Sequence, residues 1–165
     1  MWFHIMVRNT CSQPNHDGFS LIELMVVLAV MSILATLGTA LTQSWSSSNQ
    51  LQLGKNLLTQ GAAHAKSLAL RNGSGINSNT VAAFLVLKNN TLCVLNGTAT
   101  TLNCTTPVWQ TQLNVSASIN SASTQCIGWN SMGLPETASL GGTTCTTNLA
   151  YSISSGGQNA TGYLE

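Results

Sequence analysis

Hydrophobic and polar positions divide the chain into three regimes. From Phe19 to Leu41 there are 23 residues with a single charge, Glu23. As a helix this run is roughly 35 Å long at 1.5 Å per residue, enough to cross a bilayer core with some tilt. Residues 42–50 are polar and serine-rich around Trp45, a residue type suited to a membrane interface. Apolar and small residues then recur at helical spacing at Leu51, Gly54, Leu57, Leu58, Gly61, Ala62, Ala65, Leu68 and Ala69, with polar residues between them. Asn72-Gly73 reads as a helix stop in which the glycine can take the left-handed conformation. The economical reading is one long helix from about Phe19 to Asn72. Its second half packs on a globular domain through a face of small residues.

Beyond Gly73 the period changes to that of strands. Val81–Leu87 and Thr91–Leu95 are β-rich runs around Asn89-Asn90, and Asn96-Gly97 is a second turn signal. Val108–Val115 alternates, while Gln125–Trp129, Asn148–Ile153 and Thr161–Leu164 are weaker strand candidates. Short strands after a long helix predict an α+β fold, the helix packed on a small antiparallel β domain.

Only 5 per cent of the 165 residues are charged and the net charge is +1, which gives nucleic acid no bulk electrostatic attraction. A content of 44 per cent hydrophobic residues is too high for a disordered chain. The five cysteines are Cys11, Cys93, Cys104, Cys126 and Cys145. Four of them follow the apolar helix. Pairing neighbours, Cys93 with Cys104 and Cys126 with Cys145, closes two short loops and is the favoured of three connectivities. Disulfides place this domain in an oxidising compartment. No Cys-x-x-Cys and no histidine cluster supports a zinc site, so neither metal nor cofactor is expected. Arg8 precedes the apolar helix and the next basic residue is Lys55, which orients the N-terminus to the cytoplasm. A cleaved secretory signal fits less well, because 23 apolar residues exceed its usual core and no small-x-small site ends them.

A carboxylate in a membrane segment is costly and marks a function by default. Cutting between Gly18 and Phe19 would place the new α-amine of Phe19 four residues from Glu23, on one helix face. The amine could then pair with its own Glu23 or with that of an adjacent subunit, making Glu23 a register device for helices packed side by side.

Gly18-Phe19-Ser20-Leu21-Ile22-Glu23-Leu24-Met25-Val26-Val27 resembles the prepilin motif of type IV pilins and type II secretion pseudopilins. The resemblance implies cleavage after Gly18 by the prepilin peptidase, N-methylation of Phe19, and retention of the helix as membrane anchor and filament core. Such leaders usually carry several basic residues; here there is Arg8, and Asp17 precedes the glycine. The implied organisation is a leader at 1–18, a transmembrane and filament-core helix at 19–41, its soluble half at 42–73, and a periplasmic β-rich domain at 74–165. Residues 64–73 and 127–133 are similar to the H-type pseudopilins and the FimT- and FimU-type minor pilins. Those relatives often end in Gly-Arg-hydrophobic, where this chain has Gly162-Tyr163-Leu164-Glu165.

No nucleophile with a base and an orienting carboxylate stands at recognisable spacing, so no catalytic residue is assigned. His64 reads as a surface or packing residue. Three function readings remain. The first is a structural minor pilin or pseudopilin that assembles with other minor and major pilins in the bacterial inner membrane. The second is a minor pilin whose β domain captures DNA or a surface ligand, weakened because Lys88 is the one basic residue in the β region. The third is an unrelated membrane-anchored periplasmic domain.

Overall fold

The computed structural model describes residues 18–164, apart from the side chains of residues 37–41. The expected leader, with Arg8, Cys11 and Asp17, lies outside the described residues except for Gly18, as does Glu165. The chain divides into two units, Met1–Ala40 and Leu41–Glu165.

Helix α1 covers Leu21–Arg71. In the first unit, every described residue from 18 to 36 is exposed. Among the described residues no helix is long and apolar enough to cross a membrane. The expected span of 19–41 includes residues 37–41. The apolar part whose side chains are described, residues 21–36, is roughly 24 Å long at 1.5 Å per residue. That falls short of the roughly 30 Å a bilayer core requires.

In the second unit ten strands follow α1: β1 (Val81–Lys88), β2 (Thr91–Asn96), β3 (Trp109–Gln112), β4 (Ser116–Ile119), β5 (Thr124–Asn130), β6 (Pro135–Glu136), β7 (Ser139–Leu140), β8 (Thr143–Thr144), β9 (Ala150–Ser155) and β10 (Gln158–Tyr163). They form a five-stranded sheet in the order β3-β2-β1-β5-β6, a three-stranded sheet β10-β9-β4 and the β7-β8 pair. Every pairing is antiparallel.

The continuous apolar run of β1 follows from its central place, because both faces of its sheet are covered. Ala83, Leu85 and Leu87 join Leu92 and Val94 of β2 and Ile127 and Trp129 of β5 in one core, against Leu51, Leu58, Ala62, Ala65 and Ala69 of α1. The alternate residues Phe84 and Val86 face a second core with Cys93, Leu95, Cys126, Leu102, Leu140 and Cys145, which Val81 joins because the β1–β5 register shifts between Val81 and Ala83. Period-two geometry makes a single strand serve both cores. The second core carries two disulfides, Cys93–Cys104 and Cys126–Cys145, which tie β2 and β5 to the segments covering that face. The inner side of the three-stranded sheet, through Ala117, Ile119, Tyr151 and Ile153, extends the helix-side core.

Small residues let the helix approach. A Cβ on Gly61 would stand 2.7 Å from Leu92 Cδ2 and 3.1 Å from both Leu85 Cδ1 and Trp109 Cζ3. Gly61→Leu is therefore expected to destabilise the domain by about 3 kcal/mol through overpacking, read as an earlier midpoint in urea unfolding. An unchanged midpoint would show that helix and sheet are loosely apposed here.

Turn chemistry sets the registers. Asn89 and Asn90 have φ of 50° and 59°, which closes the β1–β2 hairpin as a type I′ turn between Lys88 and Thr91. Gly156 and Gly157, at 56° and 81°, do the same between Ser155 and Gln158. The helix stop differs from expectation in detail. The left-handed residue is Asn72, with φ of 41°, and not Gly73. The Asn72 side chain offsets that conformation: Nδ2 donates to Ile76 O at 2.7 Å and Oδ1 accepts from Ile76 N at 2.8 Å.

The run Val108–Val115 also departs from one strand. Its ladder is limited to Trp109–Gln112, after which exposed Asn114 separates buried Leu113 and Val115 as the chain crosses toward β4.

Candidate processing and assembly site

Gly18, Phe19 and Ser20 precede the first turn of α1 in non-helical conformation. The Ser20 carbonyl accepts the backbone N–H of Glu23 at 3.0 Å and of Leu24 at 3.2 Å, which starts the helix. Ser20 thus stands at the N-cap with Glu23 at the third helical position, the spacing of a capping box and a favourable place for a carboxylate beside the helix dipole. Glu23 thus has a local reason to be a glutamate beside the cost of a carboxylate in a membrane segment.

Gly18 is open: nothing lies within 4 Å of where its Cβ would be. Phe19 is 84 per cent exposed. The Gly18–Phe19 peptide bond accordingly lies on exposed backbone just outside the helix, where a peptidase can engage it without unwinding the helix. Glu23 is exposed one turn further on. Around and beyond it the apolar residues take up all sides of the helix, with Leu21, Ile22, Met25, Met31, Ile33 and Leu34 each at least 60 per cent exposed. A helix that is hydrophobic all round belongs in lipid or among other helices.

In the second unit the polar stretch of α1 has its own anchor. Ser155 Oγ donates to Gln50 Oε1 at 2.7 Å and Gln158 Nε2 donates to Ser44 Oγ at 3.2 Å. A Cβ on Gly156 would run into the Ser47 side chain, so the β9–β10 turn sits directly against the helix. In the fold the serine-rich segment of the helix is a hydrogen-bonded clasp. His64, exposed on α1, stacks on Trp109 of β3 with ring centroids 5.3 Å apart. Only the fold brings those two rings together.

Residues 14–39 match the family described as the prokaryotic N-terminal methylation motif. The chain carries a prepilin-type, type IV pilin-like signal at its N-terminus. No curated protein and no solved structure matches the chain. The matched segment contains Gly18, Phe19 and Glu23 together with most of the apolar run.

Proposed function

We propose that the chain is a structural minor pilin or pseudopilin subunit of a type IV pilus or type II secretion system, acting in filament initiation and assembly and not as an enzyme. The observation that carries this reading is a helix apolar on every exposed side, beginning directly after an open Gly18–Phe19 bond within a methylation motif. Prepilin peptidase cuts after Gly18, Phe19 is N-methylated, and the helix passes from the inner membrane into the shared core of a filament of minor and major pilins. The disulfide-tied β domain faces the periplasm, where its bonds are stable. Of known subgroups, the H-type pseudopilins and the FimT- and FimU-type minor pilins are the ones whose helix end and later strand residues 64–73 and 127–133 resemble.

Intact mass of the membrane-extracted protein tests the reading. The expected species lacks residues 1–18 and carries one added methyl group on Phe19. A mature chain still beginning at Met1, in cells with active prepilin peptidase, overturns it.

A further inference from the structure

The β9–β10 hairpin runs along the second unit's part of α1. Gln158 Nε2 donates to Ser44 Oγ at 3.2 Å, Gly156 packs against Ser47, and Ser155 Oγ donates to Gln50 Oε1 at 2.7 Å. Further along β9, Ile153 Cδ1 stands 3.7 Å from where a Cβ on Gly54 would be. From Ser47 to Gly54 the helix rises roughly 10 Å at 1.5 Å per residue. The strand from Gly156 to Ile153 covers about the same length at roughly 3.3 Å per residue. The turn therefore points toward Leu41, while Ala150 and its partner Tyr163 lie roughly 20 Å beyond the level of Ser47.

Leu41 ends the apolar run. Along the helix Ser44 stands about 4.5 Å beyond it, Trp45 about 6 Å and Ser47 about 9 Å, at 1.5 Å per residue. A bilayer of roughly 40–45 Å with a hydrocarbon core of roughly 30 Å leaves a headgroup layer of about 5–8 Å on each side. With the run spanning that core, Ser44 and Trp45 fall inside the layer and Ser47 at its outer border. The turn bonded to Ser44 and packed on Ser47 shares their level. Trp45 is 71 per cent exposed there, and tryptophan is an interfacial residue type. Gly156 and Gly157 are exposed, with no side chain to hold a headgroup away from the backbone. No charged residue lies from Thr42 to Gly54 or from Thr137 to Leu164. This end of the domain thus gives up no ion hydration against headgroups and carries nothing to repel anionic ones.

We propose that the β9–β10 turn is a foot by which the domain rests on the lipid headgroups around its own anchor, with Trp45 in the same layer. The partner is a lipid surface met by neutral hydrogen-bonding groups, so the contact does not depend on salt. The proposal rests on the reading of residues 19–41 as the membrane anchor. The foot fixes the height of the subunit, because the turn stops the helix from sinking past Ser47. It is also a contact that passage from membrane to filament has to break.

The full chain with Cys11→Ser, reconstituted in phosphatidylcholine vesicles, tests it. A small fluorophore is attached at Asn159→Cys, exposed beside the turn, or at Tyr163→Cys, exposed at the far end of β10. Lipid spin-labelled in the headgroup is expected to quench the label at 159 at least threefold more than the label at 163, equally at low and high salt. Gly157, with φ of 81°, is then changed to aspartate, a residue that accepts left-handed φ and adds a negative charge. In phosphatidylglycerol vesicles Gly157→Asp should lower quenching at 159 to the level at 163. Equal quenching at the two positions in a chain that floats with the vesicles, or quenching at 159 unmoved by Gly157→Asp, overturns the foot and leaves the anchor reading intact. A chain that fails to float with the vesicles overturns the anchor reading and the foot with it.

Discussion

Replacing Cys126 and Cys145 together with alanine is expected to lower the thermal midpoint of the domain by about 10 °C. The bond closes a loop of sequence separation 19, and loop-closure entropy assigns such a cross-link about 3 kcal/mol. For a domain of this size each kcal/mol moves the midpoint by a few degrees. Both sulfurs are buried in the second core beside Val86 and Leu140, so alanine also leaves unfilled space that adds to the loss. The corresponding Cys93 and Cys104 variant should lose less. Its loop, of separation 11, is shorter and Cys104 is only partly buried. Thermal unfolding of the full chain in detergent, followed by tryptophan fluorescence, decides both. A midpoint within about 2 °C of the parent for the Cys126 and Cys145 variant would show that the β7–β8 cover holds without its covalent tie.

Glu23→Ala should leave processing and membrane level near normal while incorporation into sheared filaments falls at least tenfold. The substitution makes an already apolar helix more so, which does not oppose insertion. What it removes is the proposed partner of the Phe19 amine on a neighbouring subunit, in a setting where an unpaired charge is heavily penalised. Glu23 also occupies the third helical position after Ser20, so part of any effect could come from a frayed first turn. Glu23→Gln separates the two causes, because glutamine retains capping-box geometry but carries no charge. If Gln restores incorporation, the carboxylate acts as a cap; if Gln fails as Ala does, its charge is the register cue. Normal incorporation of Glu23→Ala at normal membrane levels would remove the assembly role altogether.

Features set by neighbouring residues were readable before the fold was known. Gly18, Phe19 and Glu23 lie within six consecutive residues, and the helical spacing from Leu51 to Ala69 marks the stripe that packs on the sheet. Asn89-Asn90 declares its hairpin because few residues other than asparagine and glycine accept left-handed φ. Other elements carry no such local mark. β4 reads Ser-Ala-Ser-Ile and becomes a strand because β9 pairs with it. The two-residue strands β6, β7 and β8 are too short to show any period. Val108–Val115 looked like one strand because Leu113 and Val115 continue the alternation, but they are buried on either side of a bend. The Ser44 and Gln50 clasp, and the contact of His64 with Trp109, join residues far apart in sequence, where composition is silent.

The two disulfide rings are short in sequence and lie on the sheet face opposite the one covered by α1. Their closure has no geometric need of the helix. A folding chain can therefore fasten one side of its sheet while the other is still bare, and redox chemistry and helix docking become separable events in time. A subunit whose helix is later disturbed would keep a covalently remembered half-fold to which the helix can return.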